Sequence, residues 1–217
     1  MSFATSEYLR KATSRAKSDV ANKLVSMFLH DVSRRITARL GMNVTDPTYA
    51  NAVAAEFGSS CCYCELPLEN DRASVEHLDG MNRFQVGLHI PGNVVVACKR
   101  CNGEKRRDDQ LHECTLGSSG WQSFLCHDSS RCPPTCKTCG YWTRVWLDAS
   151  RRTENLTKAS QRIAVFRSRY PESVEWSRKA KIFLRQELDK LYRECQEFAT
   201  ARIKQGVDEV FSDLSKV

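Results

Sequence analysis

The chain has 217 residues, 41% of them hydrophobic and 27% charged, with a formal net charge of +7 and a pI near 8.9. These values exclude an intrinsically disordered chain and fit one good-sized domain or a small core with helical additions; the basic balance permits an anionic partner without demanding one. No run of eighteen apolar residues occurs, and the N-terminal MSFATSEYLRKATSRAK lacks the apolar stretch of a secretory signal, so a cytoplasmic protein without a membrane partner is expected.

Residues 1–57 are predicted helical. Leu24, Met27, Phe28, Val32, Ile36 and Leu40 recur at three- and four-residue spacings with Arg34, Arg35 and Arg39 between them, which predicts an amphipathic helix ending near Gly41. Asp46 before Pro47 marks a second helix start, followed by an Ala-rich run to Phe57. His30, alone on the first helix, reads as a surface or packing residue.

Gly58-Ser59-Ser60 then breaks the helix and delivers the chain to CCYCELPLENDRASVEHLDGMNRFQVGLHIPGNVVVACKRCNGEK. Short strands are predicted around Ala73 to Leu78 and Asn93 to Ala97, separated by a loop containing Gly80, Gly87 and Pro91-Gly92, with a helix after Cys98. Residues 113–149 carry Gly, Ser, Pro and five of the eleven cysteines, and read as an irregular, loop-rich module that needs a staple. From residue 150 the chain is helical again. Pro171 starts a helix, and Leu184, Leu188, Leu191, Cys195 and Phe198 form a stripe suited to packing in a bundle or to a dimer seam. The expected fold class is α+β, mostly α: a small zinc-bound core at 58–112, flanked by helical regions at 1–57 and 150–217, with the Cys-rich module at 113–149 between them.

Cysteines in Cys-x-x-Cys pairs in a reducing compartment favour metal over disulfides. Cys61 and Cys64, with Cys98 and Cys101, can place four thiolates on one tetrahedral Zn²⁺ and close the intervening loop into a defined frame. Cys62 reads as a free thiol. In CHDSSRCPPTCKTC, Cys126, Cys132, Cys136 and Cys139 are candidates for a second structural Zn²⁺, with Cys114, His112 or His127 able to replace one of them. That module also carries Lys137, Arg144 and tryptophans that could meet nucleic acid, although buried tryptophan is the commoner case.

Within the first metal frame, Glu76 and His77 are adjacent near a strand end, and Asn102 follows the last cysteine. Adjacent strand residues point to opposite faces, so Glu76 and His77 share a site only where the strand twists or ends, as Gly80 permits. A neutral imidazole can accept a proton from water, and carboxylate and amide oxygens suit a hard cation such as Mg²⁺ or Mn²⁺. Lys105, Arg106 and Arg107 on the following helix are candidates for phosphate contact, a solvated helix face being the plain alternative. His89 reads as a loop residue.

The order Cys-x-x-Cys, acidic-His, Asn, Cys-x-x-Cys-Asn-x-x-Lys resembles the HNH endonucleases of the ββα-metal fold, in the subgroup whose four cysteines bind a structural zinc. That subgroup includes restriction endonucleases and phage junction-resolving endonucleases, and the likeness covers roughly residues 58 to 112. It implies that His77 is the general base, that Glu76 and Asn102 hold a catalytic divalent cation, and that Asn93 shapes the loop and orients the histidine. The family more often has Asp where this chain has Glu76. The expectation is a metal-dependent DNA endonuclease, of restriction or defence type, acting as a possible homodimer. The rivals are a zinc-dependent nucleic-acid-binding protein without cleavage, a phage or repair junction resolvase, and an RNA rather than DNA substrate.

Overall fold

The computed structural model describes residues 5–69, 72–111, 120–127 and 132–215. The protein is mostly helical, with one small antiparallel sheet. In chain order it forms α1 (Thr5–Leu40), α2 (Pro47–Phe57), β1 (Ala73–His77), β2 (Val94–Cys98), α3 (Lys99–Leu111), α4 (Gly120–Leu125), α5 (Lys137–Val145), α6 (Ala149–Ser168) and α7 (Pro171–Leu214). Among the described residues, no helix is long and apolar enough to cross a membrane.

Two apolar cores divide the work. The smaller joins α1 to α7 and to the loop between the strands: Val25, Leu29 and Ile36 meet Val86, Leu88, Ile90, Ala180 and Leu188. The face of α1 that is buried differs from the predicted stripe. Ala21, Val25 and Leu29 are buried, whereas Met27 is 56% exposed and Leu24 and Phe28 are also exposed. Two partners cover α1, the loop and α7, and the buried Ser33 accepts from the His89 amide of the loop (2.8 Å). Which face is covered is therefore decided by α7 and the loop rather than by the helix's own periodicity. The helix ends where expected, at Gly41 with φ +65°.

Along α7 the predicted stripe holds only in part. Leu188 is fully buried and Leu184 and Leu191 pack beside it, but Phe198 is 73% exposed. The larger core gathers α2, the sheet and α4 to α6 around Tyr49, Phe57, Tyr63, Phe124, Trp142 and Phe166. Helix α2 starts at Asp46-Pro47 and stops at Gly58 (φ +59°), as its sequence signals require.

The strands pair antiparallel with Ala73 opposite Cys98 and His77 opposite Val94. The second Cys-x-x-Cys pair therefore sits where β2 passes into α3. Residues 113–149 differ from the loop-rich prediction, since α4 and α5 lie within that span. Trp121, Phe124, Leu125, Tyr141 and Trp142 are buried in the larger core, so aromatic anchors hold these short helices where apolar periodicity is too brief to read.

Leu188→Ala should lower unfolding free energy by about 2–5 kcal/mol through cavity formation. Phe198→Ala should change it by less than about 0.5 kcal/mol. Urea denaturation of the two variants beside the wild type measures both.

Candidate metal centres and catalytic groove

The sulfurs of Cys61, Cys64, Cys98 and Cys101 lie within 4.8 Å of one another. The first pair sits in a tight knuckle: the Cys61 amide donates to Leu66 O (2.9 Å) and the Glu65 amide to Cys61 O (3.0 Å). Glu65 holds φ +56° there, a left-handed conformation uncommon for a non-glycine residue. Arg162 of α6 steadies it, with Nη1 2.8 Å from Glu65 Oε1. At the second pair, the Cys101 amide donates to Cys98 Sγ (3.3 Å).

Four thiols this close cannot ionise independently. The Cys101 thiol above all, with the other neighbouring thiols, holds Cys61 far below the usual thiol range, and Cys101 is pushed far above it by its contacts with Cys61, Cys64 and Cys98. A dication removes that conflict by taking all four as thiolates. These residues could hold zinc structurally. Cys62 stays outside the group; burial raises its thiol well above the usual range.

The second group is His127, Cys132, Cys136 and Cys139, again within 4.8 Å. This corrects the expected ligand set: Cys126 is exposed, its thiol donates to Ser123 O (3.1 Å), and His127 takes its place. The reason lies on α3. His127 Nε2 is 2.8 Å from Asp108 Oδ1, while Nδ1 faces Cys136 Sγ (3.3 Å) and Cys132 Sγ (3.5 Å). Asp108 is itself fully buried and accepts from Thr138 Oγ1 (2.7 Å) and Ser123 Oγ (3.3 Å). A carboxylate behind a histidine whose other nitrogen faces thiols is the arrangement that orients zinc-bound imidazole. This set could also hold structural zinc. His112 and Cys114 lie outside the described residues.

A groove of about 900 Å³ runs between α1 and the strand-helix unit. Glu76, His77, Asn102 and Arg106 line it from one side, and Ser18, Asn22, Ser26 and His30, spaced every four residues on α1, from the other. The end of β1 and the first turns of α3 thus bring the three predicted catalytic residues to one place. Asn102 Nδ2 donates to Ser74 Oγ (3.1 Å) and Val75 O (3.0 Å), which ties α3 to β1.

Glu76 is 2% exposed and lies at the groove floor. Tyr63 donates its hydroxyl proton to Glu76 Oε1 (3.1 Å), and Lys105 Nζ is 3.2 Å from the same oxygen. Lys105 also reaches Asp109 Oδ2 (3.2 Å) and donates to His77 O (3.0 Å). Burial raises Glu76 above its usual range, with Lys105 pulling the other way, and burial likewise raises Asp109. Lys105 is accordingly not a solvated phosphate contact of the kind predicted. It is a buried cation shared by two carboxylates, because its i+4 neighbour Asp109 and the facing Glu76 close over it. Arg107 turns away to Glu104 (2.8 Å), so of the predicted basic trio only Arg106 both lines the groove and is exposed.

His77 Nε2 lies 2.9 Å from His89 Nδ1. Burial first, then the nearby His89 and Lys105, hold His77 down to about 3, so its ring is neutral at pH 7. His89 was the residue the sequence hid. Its amide donates to Ser33 Oγ on α1 (2.8 Å), and its ring packs between His77 and His30, with both centroids at 5.2 Å. No spacing links positions 30, 77 and 89, so only the fold could join them.

Asn93 pins the loop between the strands. Its Nδ2 donates to Leu88 O (2.7 Å) and Asp79 O (3.1 Å), while its Oδ1 accepts from the Asp79 amide (2.8 Å) and Arg167 Nη1 (3.3 Å). Asp79, fully buried, meets Arg167 Nη2 (3.2 Å) and Lys181 Nζ (3.4 Å). Burial opposes its ionisation, but these two cations win and hold it at about 2. Gly87 completes the turn where no side chain fits: an added Cβ would stand 1.7 Å from Asp79 O.

No family model matches the chain, and neither a curated protein nor a solved structure does.

Elemental analysis of the purified protein should find two zinc ions per chain. Cys126→Ser should retain both, whereas Cys136→Ser should retain one. Lys105→Met leaves buried carboxylates without their cation and should cost about 3–5 kcal/mol, read by urea denaturation. Arg107→Ala should cost less than about 0.5 kcal/mol on the same measurement.

Proposed function

We propose that the chain is a metal-dependent DNA endonuclease of the HNH, ββα-metal kind. One observation carries this reading: a strand-loop-strand-helix unit with a four-cysteine group at its joint brings Glu76, His77 and Asn102 to a single groove, with Asn93 pinning the loop between them. A binding module has no need of a neutral histidine beside a carboxylate and an amide at the floor of a groove.

In this reading His77 accepts the proton of the attacking water. His89 Nδ1 engages Nε2 and fixes the ring plane, which leaves Nδ1 of His77 as the nitrogen for water. Lys105 holds the backbone of His77 through its carbonyl, so ring and main chain are both located before substrate arrives. Arg106, exposed at the groove edge, meets a flanking phosphate.

The donor set also suits a hard divalent cation. Glu76 and Asp109 together outnumber the single Lys105 charge between them, and Asn102 spends its amide nitrogen on β1, which leaves its oxygen for another partner. Glu76 and Asn102 would hold Mg²⁺ or Mn²⁺, which supplies charge stabilisation for the phosphate and the leaving oxygen. One site per chain cuts one strand, so cutting a duplex through calls for two copies, and a homodimer follows in this reading. Restriction or defence is the biology proposed, on the resemblance alone.

Incubation with supercoiled plasmid and Mg²⁺ or Mn²⁺ should give nicked and linear products. His77→Ala should slow cleavage by about 10²–10⁴-fold and leave zinc content and DNA affinity unchanged. Wild-type protein that cuts with neither ion, or a His77→Ala variant that cuts equally well, overturns the reading.

A further inference from the structure

A second cavity, of about 540 Å³, lies at the other end of the sheet. Its size falls in the range of small-ligand pockets. Arg72 before β1, Lys99 and Arg100 at the start of α3, and Arg144 on α5 surround it, and Trp146 and Tyr141 supply aromatic wall. Nothing in the proposed chemistry uses these residues.

The charge is in excess. Among the described residues Lys99, Arg100 and Arg144 have no carboxylate within ion-pairing distance, and Arg72 has only the exposed Glu69 at 3.6 Å. Cys64 and Cys98 of the first metal group also line the cavity. A zinc tetrathiolate carries a net charge of about −2, so part of the basic ring would neutralise it. Four cations exceed that requirement and leave positive charge facing the cavity.

The aromatic wall is backed by the larger core. Trp146 lies parallel to Trp142, with centroids 5.2 Å apart and planes 13° from one another, and Trp142 is fully buried. Arg100 is placed over the Tyr141 ring at 5.4 Å. A flat ring backed by the core, beside guanidinium groups that no carboxylate neutralises, suits a flat aromatic heterocycle joined to an anion.

We propose that this cavity takes one nucleotide of the nucleic-acid substrate, unstacked from its neighbours, with its base on Trp146 and its phosphate between Arg100 and Arg144. This rests on the endonuclease reading for its source of nucleotide. The five residues of β1 set Arg72 roughly 16 Å from His77 at about 3.3 Å per residue, or about five nucleotides along a B-form strand. The cavity is then a recognition subsite at a distance from the cut. A base reaches it only if unpaired, so the favoured ligand is a duplex with an extruded or bulged base, or a single strand.

The test is fluorescence anisotropy on the zinc-loaded full chain without Mg²⁺ or Mn²⁺. The probes are a labelled duplex carrying one bulged nucleotide and its fully paired counterpart. Wild type should bind the bulged duplex about tenfold more tightly; Trp146→Ala should abolish that preference, Trp146→Phe should keep most of it, and Arg144→Glu should weaken the bulged duplex about tenfold. Equal affinity of wild type for both probes, or a Trp146→Ala variant that keeps its preference with zinc content intact, overturns the proposal. A nucleoside monophosphate that competes as strongly as an equal concentration of bulged duplex also overturns it, by assigning the cavity to a free nucleotide. Plasmid cleavage by wild type and His77→Ala reads the endonuclease proposal separately, so either can fail alone.

Discussion

Everything at the groove depends on the joint between β2 and α3. Cys98 ends the strand, Cys101 stands in the first turn of the helix, and both sulfurs meet the Cys61-Cys64 knuckle. A two-stranded sheet of five-residue strands has too little apolar surface to fix the angle of the helix that follows it. Four converging sulfurs fix it instead. Asn102 follows Cys101 directly and inherits its position from that joint, while one turn later Lys105 reaches Glu76 and, a turn further on, Asp109 meets the same Lys105. Position along the helix thus becomes position in the groove.

The loop between the strands is the second constraint. It is held from inside by Asn93 and from outside by α1, α6 and α7, through Ser33, Arg167 and Lys181 respectively. Val86 accepts φ +53° within it, an outlier for a β-branched residue, and the adjoining Gly87 leaves no space for a side chain. Such a conformation persists because buried hydrogen bonds and ion pairs on every side determine it. The N-terminal helix is therefore more than a support for the sheet: α1 forms one wall of the groove.

Much of this was legible in the chain itself. The paired cysteines, the short strands and the helix limits at Gly41, Pro47, Gly58 and Pro171 follow from spacing and from residues with fixed backbone preferences. Those signals are local, and local signals survive in a sequence. What was hidden depends on residues far apart. His30 and His89 look ordinary until α1 crosses the loop, and Lys105 looks solvated until Glu76 and Asp109 close over it. Cys126 and His127 are neighbours, and counting cysteines favours the first. Asp108, on a different helix, decides for the second. The buried face of α1 was misread for a related cause, since a helix with apolar residues on more than one side leaves the choice of face to its partners.

Asp108 and Asp109 are consecutive residues with opposite engagements. One stands behind His127 at the second candidate metal group, and the other shares Lys105 with Glu76 beneath the groove. A rotation of α3 that improves either contact moves its neighbour, so the two places share one mechanical degree of freedom. Thermodynamic linkage makes such sharing mutual: an occupant of the groove that favours one setting of α3 tightens metal at the second group when that group prefers the same setting, and metal there strengthens the occupant by the same factor. Two bonded residues thereby form the shortest connection the chain could make between the second candidate metal group and the groove.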